Sequence, residues 1–169
     1  GREVVVGRNA QNLRVAIAIV ALGLLDLAWH VTAISGADQS MVVRATAGLY
    51  LMLVSHIGGR IVPSFTRNVL ARAGRSLPRP MGWIDRVALS ATVLAVASWI
   101  ALPGGWATAL AAAAAATLQA WRLAGWRGWA TLQEPLLWVL HLGYGFVPFA
   151  LAAIALAALG VVSPPSALH

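Results

Sequence analysis

A chain of 169 residues with 60% hydrophobic and only 10% charged residues has too little polar surface to coat a water-soluble globule, which ordinarily carries about 25% charge. All twelve basic residues are arginine, against five acids, for a net charge of +7. They gather in short segments between apolar runs, which argues for membrane topology and against nucleic-acid binding, while the absence of cysteine excludes disulfides, thiolate metal sites and thiol catalysis.

The first residue is Gly1, and the opening segment is polar and basic. The apolar run after it is too long for a signal peptide and lacks a small-residue cleavage pattern. A processed protein or a piece of a longer polytopic chain is the expectation. Crossing a bilayer takes about 20 largely apolar residues, and five stretches qualify. The first, about 13–33, contains Asp26, Trp29 and His30, and the second, about 41–62, contains Arg44, His56 and Arg60. The third covers about 83–102, and the fourth, about 105–123, runs through the alanines Ala111 to Ala116. The fifth, about 135–160, carries His141 and Pro148. The predicted fold is an all-α integral membrane bundle of these helices, forming one unit over residues 1–169.

Arginine sets the orientation. Arg2, Arg8 and Arg14 precede the first helix; Arg67, Arg72, Arg75 and Arg79 lie between the second and third; Arg122 and Arg127 join the fourth to the fifth. The opposite side offers only Asp38 and an uncharged Pro103-Gly104-Gly105 turn. By the positive-inside rule the N-terminus is cytoplasmic and the C-terminus periplasmic. Trp83, Trp121, Trp126, Trp129 and Trp138 then form an interfacial belt on the cytoplasmic side, with Trp29, Trp99 and Trp106 near the other boundary. Pro148 is expected to kink the fifth helix, and Gly143 and Gly145 to admit a close neighbour.

Ionisable groups inside a bilayer are costly and ask for a partner or a purpose. Counted from the expected helix ends, His56 and His141 each lie roughly 9 Å from the cytoplasmic boundary. Two imidazoles at matched depth suit an axially ligated haem or a metal ion held between helices. The alternative is that each hydrogen-bonds a neighbouring helix. Asp26 lies four residues before His30 and shares its helical face, where it would orient the imidazole or else pair with Arg44. His169 ends the chain and forms a second candidate metal group with His30. Arg60 and Arg67 flank a Gly58-Gly59 and Pro63 segment. They would hold anionic groups such as haem propionates or lipid phosphates, or snorkel to the interface. Asp85 and Glu134 read as complements to helix dipoles, with no functional role.

Several strings are specific. Gly58-Gly59-Arg60-Ile61-Val62-Pro63-Ser64-Phe65-Thr66-Arg67-Asn68 resembles a signature of the NnrS family. Trp121-Arg122-Leu123, Gly125-Trp126-Arg127-Gly128 and Glu134-Pro135-Leu136-Leu137-Trp138 resemble the stretch leading to its next motif. His141-Leu142-Gly143-Tyr144 and Ser166-Ala167-Leu168-His169 resemble two further segments. The likeness runs from about Arg8 to His169 and implies the central portion of a longer, multi-pass inner-membrane protein of bacteria. It further implies haem and copper and a part in the response to nitric oxide, that is, to nitrosative stress. The ligand candidates it carries are His141 and His169, with Arg60 and Arg67 in support, whereas His56 lies beside the motif and rests on depth alone. The expected partners are the lipid bilayer, haem, copper and nitric oxide, and either the remaining helices of the full-length chain or further copies in a homo-oligomer. Whether it is an enzyme is left open. The competing readings are a transporter or channel using Asp26, His30, Arg44 and the Pro148 kink, and a purely structural subunit.

Overall fold

The computed structural model describes residues 10–163; Arg2, Arg8 and His169 lie outside the described residues. Five helices run in order: α1 (Ala10–Ser35), α2 (Ser40–Arg72), α3 (Trp83–Ala101), α4 (Trp106–Ala124) and α5 (Pro135–Ala158), with a short 3-10 turn at Gly128–Thr131 before α5. No strand occurs among the described residues. Helices α1, α2, α3 and α5 are long and apolar enough to cross a membrane. Helix α4 is as long as α3, but Gln119 and Arg122 near its end lower its mean hydropathy. The protein is therefore a helical membrane bundle.

Two compact units divide after Leu53, within α2. The first contains α1 and the opening turns of α2. Its helices are joined by Gly36, whose φ of +68° is one that a side chain rarely tolerates, so the chain can reverse there. Asp38 then accepts bonds from the Ser40 N–H (2.9 Å) and the Ser40 hydroxyl (2.6 Å), securing the entry to α2. Those hydrogen bonds lower the Asp38 pKa below its ordinary 3.8.

The second unit holds the packed core. Its α2 segment turns one stripe inward, comprising Ser55, Val62, Thr66 and Leu70, with Gly59 buried among them. Helix α4 contributes Thr108, Ala109, Ala112, Ala115 and Ala116 to the interior and packs against both α3 and α5. Small residues let helix backbones approach closely, which matters in lipid because no hydrophobic effect drives helix to helix there. The turn between α3 and α4 is tied to the far end of α5 by the Gly105 N–H, which donates to the Ala158 carbonyl at 2.8 Å.

One expected boundary is wrong. Helix α2 does not end at residue 62 but continues through Pro63 to Arg72, giving it 33 residues and a length of about 50 Å. Proline removes one backbone donor and crowds the preceding turn, yet Val62, Pro63 and Thr66 are all buried, so packing holds the helix together across it. Helix α5 likewise continues through Pro148.

Candidate functional site

The site is organised by Arg122. Sequence reading assigned this residue to a cytoplasmic connection; instead it occupies the last turn of α4 with 0% exposure. A buried guanidinium demands partners on every side, and the three neighbouring helices supply them. Its Nε donates to Asp85 Oδ1 of α3 at 2.9 Å. Nη1 donates to the Ser55 carbonyl of α2 at 3.0 Å and to the Tyr144 hydroxyl of α5 at 2.7 Å. Nη2 donates to the Gly59 carbonyl at 3.3 Å. Asp85 is more than a dipole complement: its second oxygen accepts the Gly82 N–H at 2.8 Å, so one carboxylate starts α3 and neutralises Arg122.

The polar chain continues through Tyr144. Its hydroxyl donates to Gln119 Oε1 at 2.8 Å, and Gln119 Nε2 donates to Ser55 Oγ at 2.6 Å and Thr92 Oγ1 at 2.8 Å. Thr92 in turn donates to the Ala88 carbonyl at 2.8 Å. Such a network is stable in an apolar interior because nearly every donor finds an acceptor. It fastens α2, α3, α4 and α5 at one level and thereby sets the register of α5.

Both glycines of the Gly58-Gly59 pair earn their place by close approach. A Cβ on Gly59 would collide with the Arg122 guanidinium, and one on Gly58 would stand 3.0 Å from Tyr144 Cδ2. Trp126, expected in the interfacial belt, is 1% exposed. It packs edge-on to Tyr144 with ring centroids 4.5 Å apart, meets His141 at 6.4 Å, and lies under Arg122 at 5.4 Å. Trp99 is buried as well, whereas Trp83, Trp121, Trp129 and Trp106 remain exposed, as belt residues should.

His141 lies one turn of α5 before Tyr144 and is 8% exposed. Its Nδ1 is 2.8 Å from the Leu137 carbonyl; since a carbonyl only accepts, Nδ1 is the donor in that bond. Nε2 stands 3.4 Å from Thr66 Oγ1. The Thr66 hydroxyl proton, however, points to the Val62 carbonyl at 2.8 Å. The imidazole is thus oriented through Nδ1, the usual arrangement of a ligating histidine, and its Nε2 faces Thr66. Gly128 closes over the ring: a Cβ there would meet His141 Cδ2 at 2.6 Å.

The matched depth of His56 and His141 does not survive. His141 meets Thr66, ten residues and about 15 Å along α2 from His56, whereas two nitrogens on one metal lie roughly 4 Å apart. The reckoning failed because α2 runs on past residue 62. His56 is half-buried, and Arg60 and Arg67 are exposed, off the stripe that faces His141. In the first unit, His30 Nε2 and Asp26 Oδ2 approach to 3.9 Å, with side chains 61% and 76% exposed. No ion pair joins Asp26 to Arg44 among the described residues. Nor do three or more His, Asp or Glu converge on a metal-sized site among them.

Tyr144, Arg122, Asp85 and Gln119 were missed as functional residues. A usable signal existed: Gln119 and Arg122, three apart on an otherwise alanine-rich helix, share a face, and Asp85 was the acid available on the preceding helix.

In space, then, the glycine-rich signature of α2, the Trp-Arg segment of α4 and the histidine-tyrosine segment of α5 form one cluster, through Gly58 with Tyr144, Gly59 with Arg122 and Thr66 with His141. A family model described as NnrS protein matches residues 1–169, and the chain belongs to the NnrS family, in line with its motifs. No curated protein and no solved structure matches it.

Proposed function

From this membership we propose that the chain is part of a haem- and copper-binding protein of the bacterial inner membrane, N-terminus cytoplasmic and C-terminus periplasmic, that serves the response to nitric oxide. The observation that carries the haem assignment is the approach of His141 Nδ1 to the Leu137 carbonyl at 2.8 Å, which fixes the ring. With Nδ1 facing that carbonyl, Nε2 faces Thr66 Oγ1 at 3.4 Å and would be the ligating atom once Thr66 gives way; neutral imidazole is a good ligand for iron. His141 would be one residue that holds a haem, with its ring fixed by the Leu137 carbonyl. A bound haem iron would supply a coordination site at which nitric oxide can be held. The chain's own part is positional: Gly128 and Trp126 restrict the ring, while the Arg122 network sets the register of α5 and hence the height of His141. For copper, the resemblance points to His169, outside the described residues, and helical spacing adds His30 with Asp26 beside it; further donors would come from the remaining helices or a second copy.

The test is a reduced-minus-oxidised absorption spectrum, with iron and copper analysis, of the detergent-purified protein and its His141→Ala variant. Loss of the haem band and of its shift with nitric oxide is the expected result. An unchanged spectrum and metal content in the variant would remove His141 from the site, and absence of both metals from the wild type would end the proposal.

A further inference from the structure

The loop between α2 and α3 folds against the connection between α4 and α5, and arginines make the join. Arg75 Nη1 donates to the Ala130 carbonyl at 2.9 Å. Arg127, held in the left-handed region at φ +60°, donates to the Ser76 hydroxyl. Between these two ties lies Arg79, whose guanidinium crosses Gly125 where a Cβ would stand. Gly125 has ordinary helical angles, φ −61° and ψ −16°, so conformation alone does not call for glycine there. Room for Arg79 does.

That guanidinium is left incomplete. Its Nε and Nη2 are buried and have no hydrogen-bond partner. These two donors form one side of the guanidinium fork, the side that matches a pair of oxygens on a phosphate or carboxylate. No carboxylate answers it: among the described residues the ion pairs are Asp26 with His30 and Asp85 with Arg122. A half-buried cation with two buried, unmet donors is costly, yet the chain has given up a side chain at Gly125 to accommodate it. The same two loops and adjoining helix ends expose Leu77, Met81, Trp83, Trp129 and Leu132. Apolar and aromatic side chains beside uncompensated arginine belong at the headgroup level of a membrane.

We propose that Arg79, seated on Gly125 and flanked by Arg75 and Arg127, binds the phosphate of an anionic phospholipid. The fork takes two phosphate oxygens once the Arg79 side chain eases off Gly125; the two flanking ties hold the loops while it does so; the exposed tryptophans and aliphatic side chains sit beside the glycerol and upper acyl chains. The lipid links the two loops whose junction lies over Gly128 and His141. The site is independent of haem and copper.

The test is lipid retention, read by native mass spectrometry, on the purified protein equilibrated with equal amounts of phosphatidylglycerol and phosphatidylcholine. Wild type should retain phosphatidylglycerol with a preference of about fivefold, the scale of one arginine at an anionic surface. Arg79→Lys keeps the charge and stem but loses the fork and should fall most of the way to parity; Arg79→Gln should reach it. Parity in the wild type, or a preference surviving in both variants, overturns the proposal. Inorganic phosphate is the second arm: if it abolishes the phosphatidylglycerol preference at millimolar concentration, the site takes a free anion and the lipid assignment is wrong.

Discussion

The two acid–base pairs of this protein differ in almost everything except chemistry. Asp26 and His30 stand one turn apart on α1, 3.9 Å from each other, with side chains 76% and 61% exposed. Asp85 and Arg122 come from different helices, 2.9 Å apart, with side chains 8% and 0% exposed. The first pair follows from helical spacing alone and leaves its groups open. The second exists only because α2, α3, α4 and α5 pack together, and its removal would leave charge in an apolar interior. A sequence with few charges therefore uses them in two ways: one pair open to further partners, the other closed on itself.

The largest effect should come from Arg122→Met, which strands Asp85 and strips Tyr144 and the Ser55 carbonyl of their donor. Breaking a buried pair from one side costs about 3–5 kcal/mol, so the variant should be largely lost from the folded fraction in a detergent unfolding titration. Adding Asp85→Leu should recover part of that loss, and a double variant no more stable than Arg122→Met would contradict the pairing. Gly59→Ala comes next, since its methyl must displace a guanidinium held on several sides. A cost of about 1–3 kcal/mol is expected, read as a lower unfolding midpoint, and wild-type stability would mean that Arg122 does not approach Gly59 as described. Tyr144→Phe removes one hydroxyl that accepts from Arg122 and donates to Gln119. Leaving those groups unmet should cost about 1–3 kcal/mol, read as a lower unfolding midpoint than the wild type's.

The open side of the comparison should respond weakly. A double-variant cycle on Asp26 and His30 should give no measurable coupling, as is common for exposed pairs; strong coupling would show that the pair is covered in the assembled protein. Smallest of all is the pH response of Asp38. Its folded pKa is lowered, so whatever stability it lends α2 is present above the unfolded value of 3.8 and fades as pH falls through the folded value. Protection of the Ser40 to Val43 amides, relative to an unstructured peptide at the same pH, should fall below pH 3.8 in wild type and show no such step in Asp38→Ala.

Reading the site from sequence failed where a helix end was misplaced. Ending α2 at Val62 put His56 and His141 at equal depth; the ten residues that follow carry Thr66, which is what His141 meets. Reading Arg122 and Trp126 as a topology charge and an interfacial anchor was sound for their composition and wrong for their place, because hydropathy registers only how polar a residue is. Arg122 is tolerated inside because Asp85, Tyr144 and two carbonyls surround it. Arg75, Trp83 and Trp129 stay exposed, since they lack such a set of buried partners.

By itself the sequence determined that this is a membrane protein of successive helices, because the length and apolarity of each run are local properties that no distant residue can alter. Its motifs likewise carried the family, since they are patterns of identity in order along the chain. Tertiary structure alone decided which polar residues are buried together. Gly58 and Gly59, Asp85, Arg122 and Tyr144 lie far apart in the chain and are made interdependent only by packing. A buried charge is stable where four helices bring its counter-ion, acceptors and empty Cβ positions to one point, and that convergence is written in no single segment.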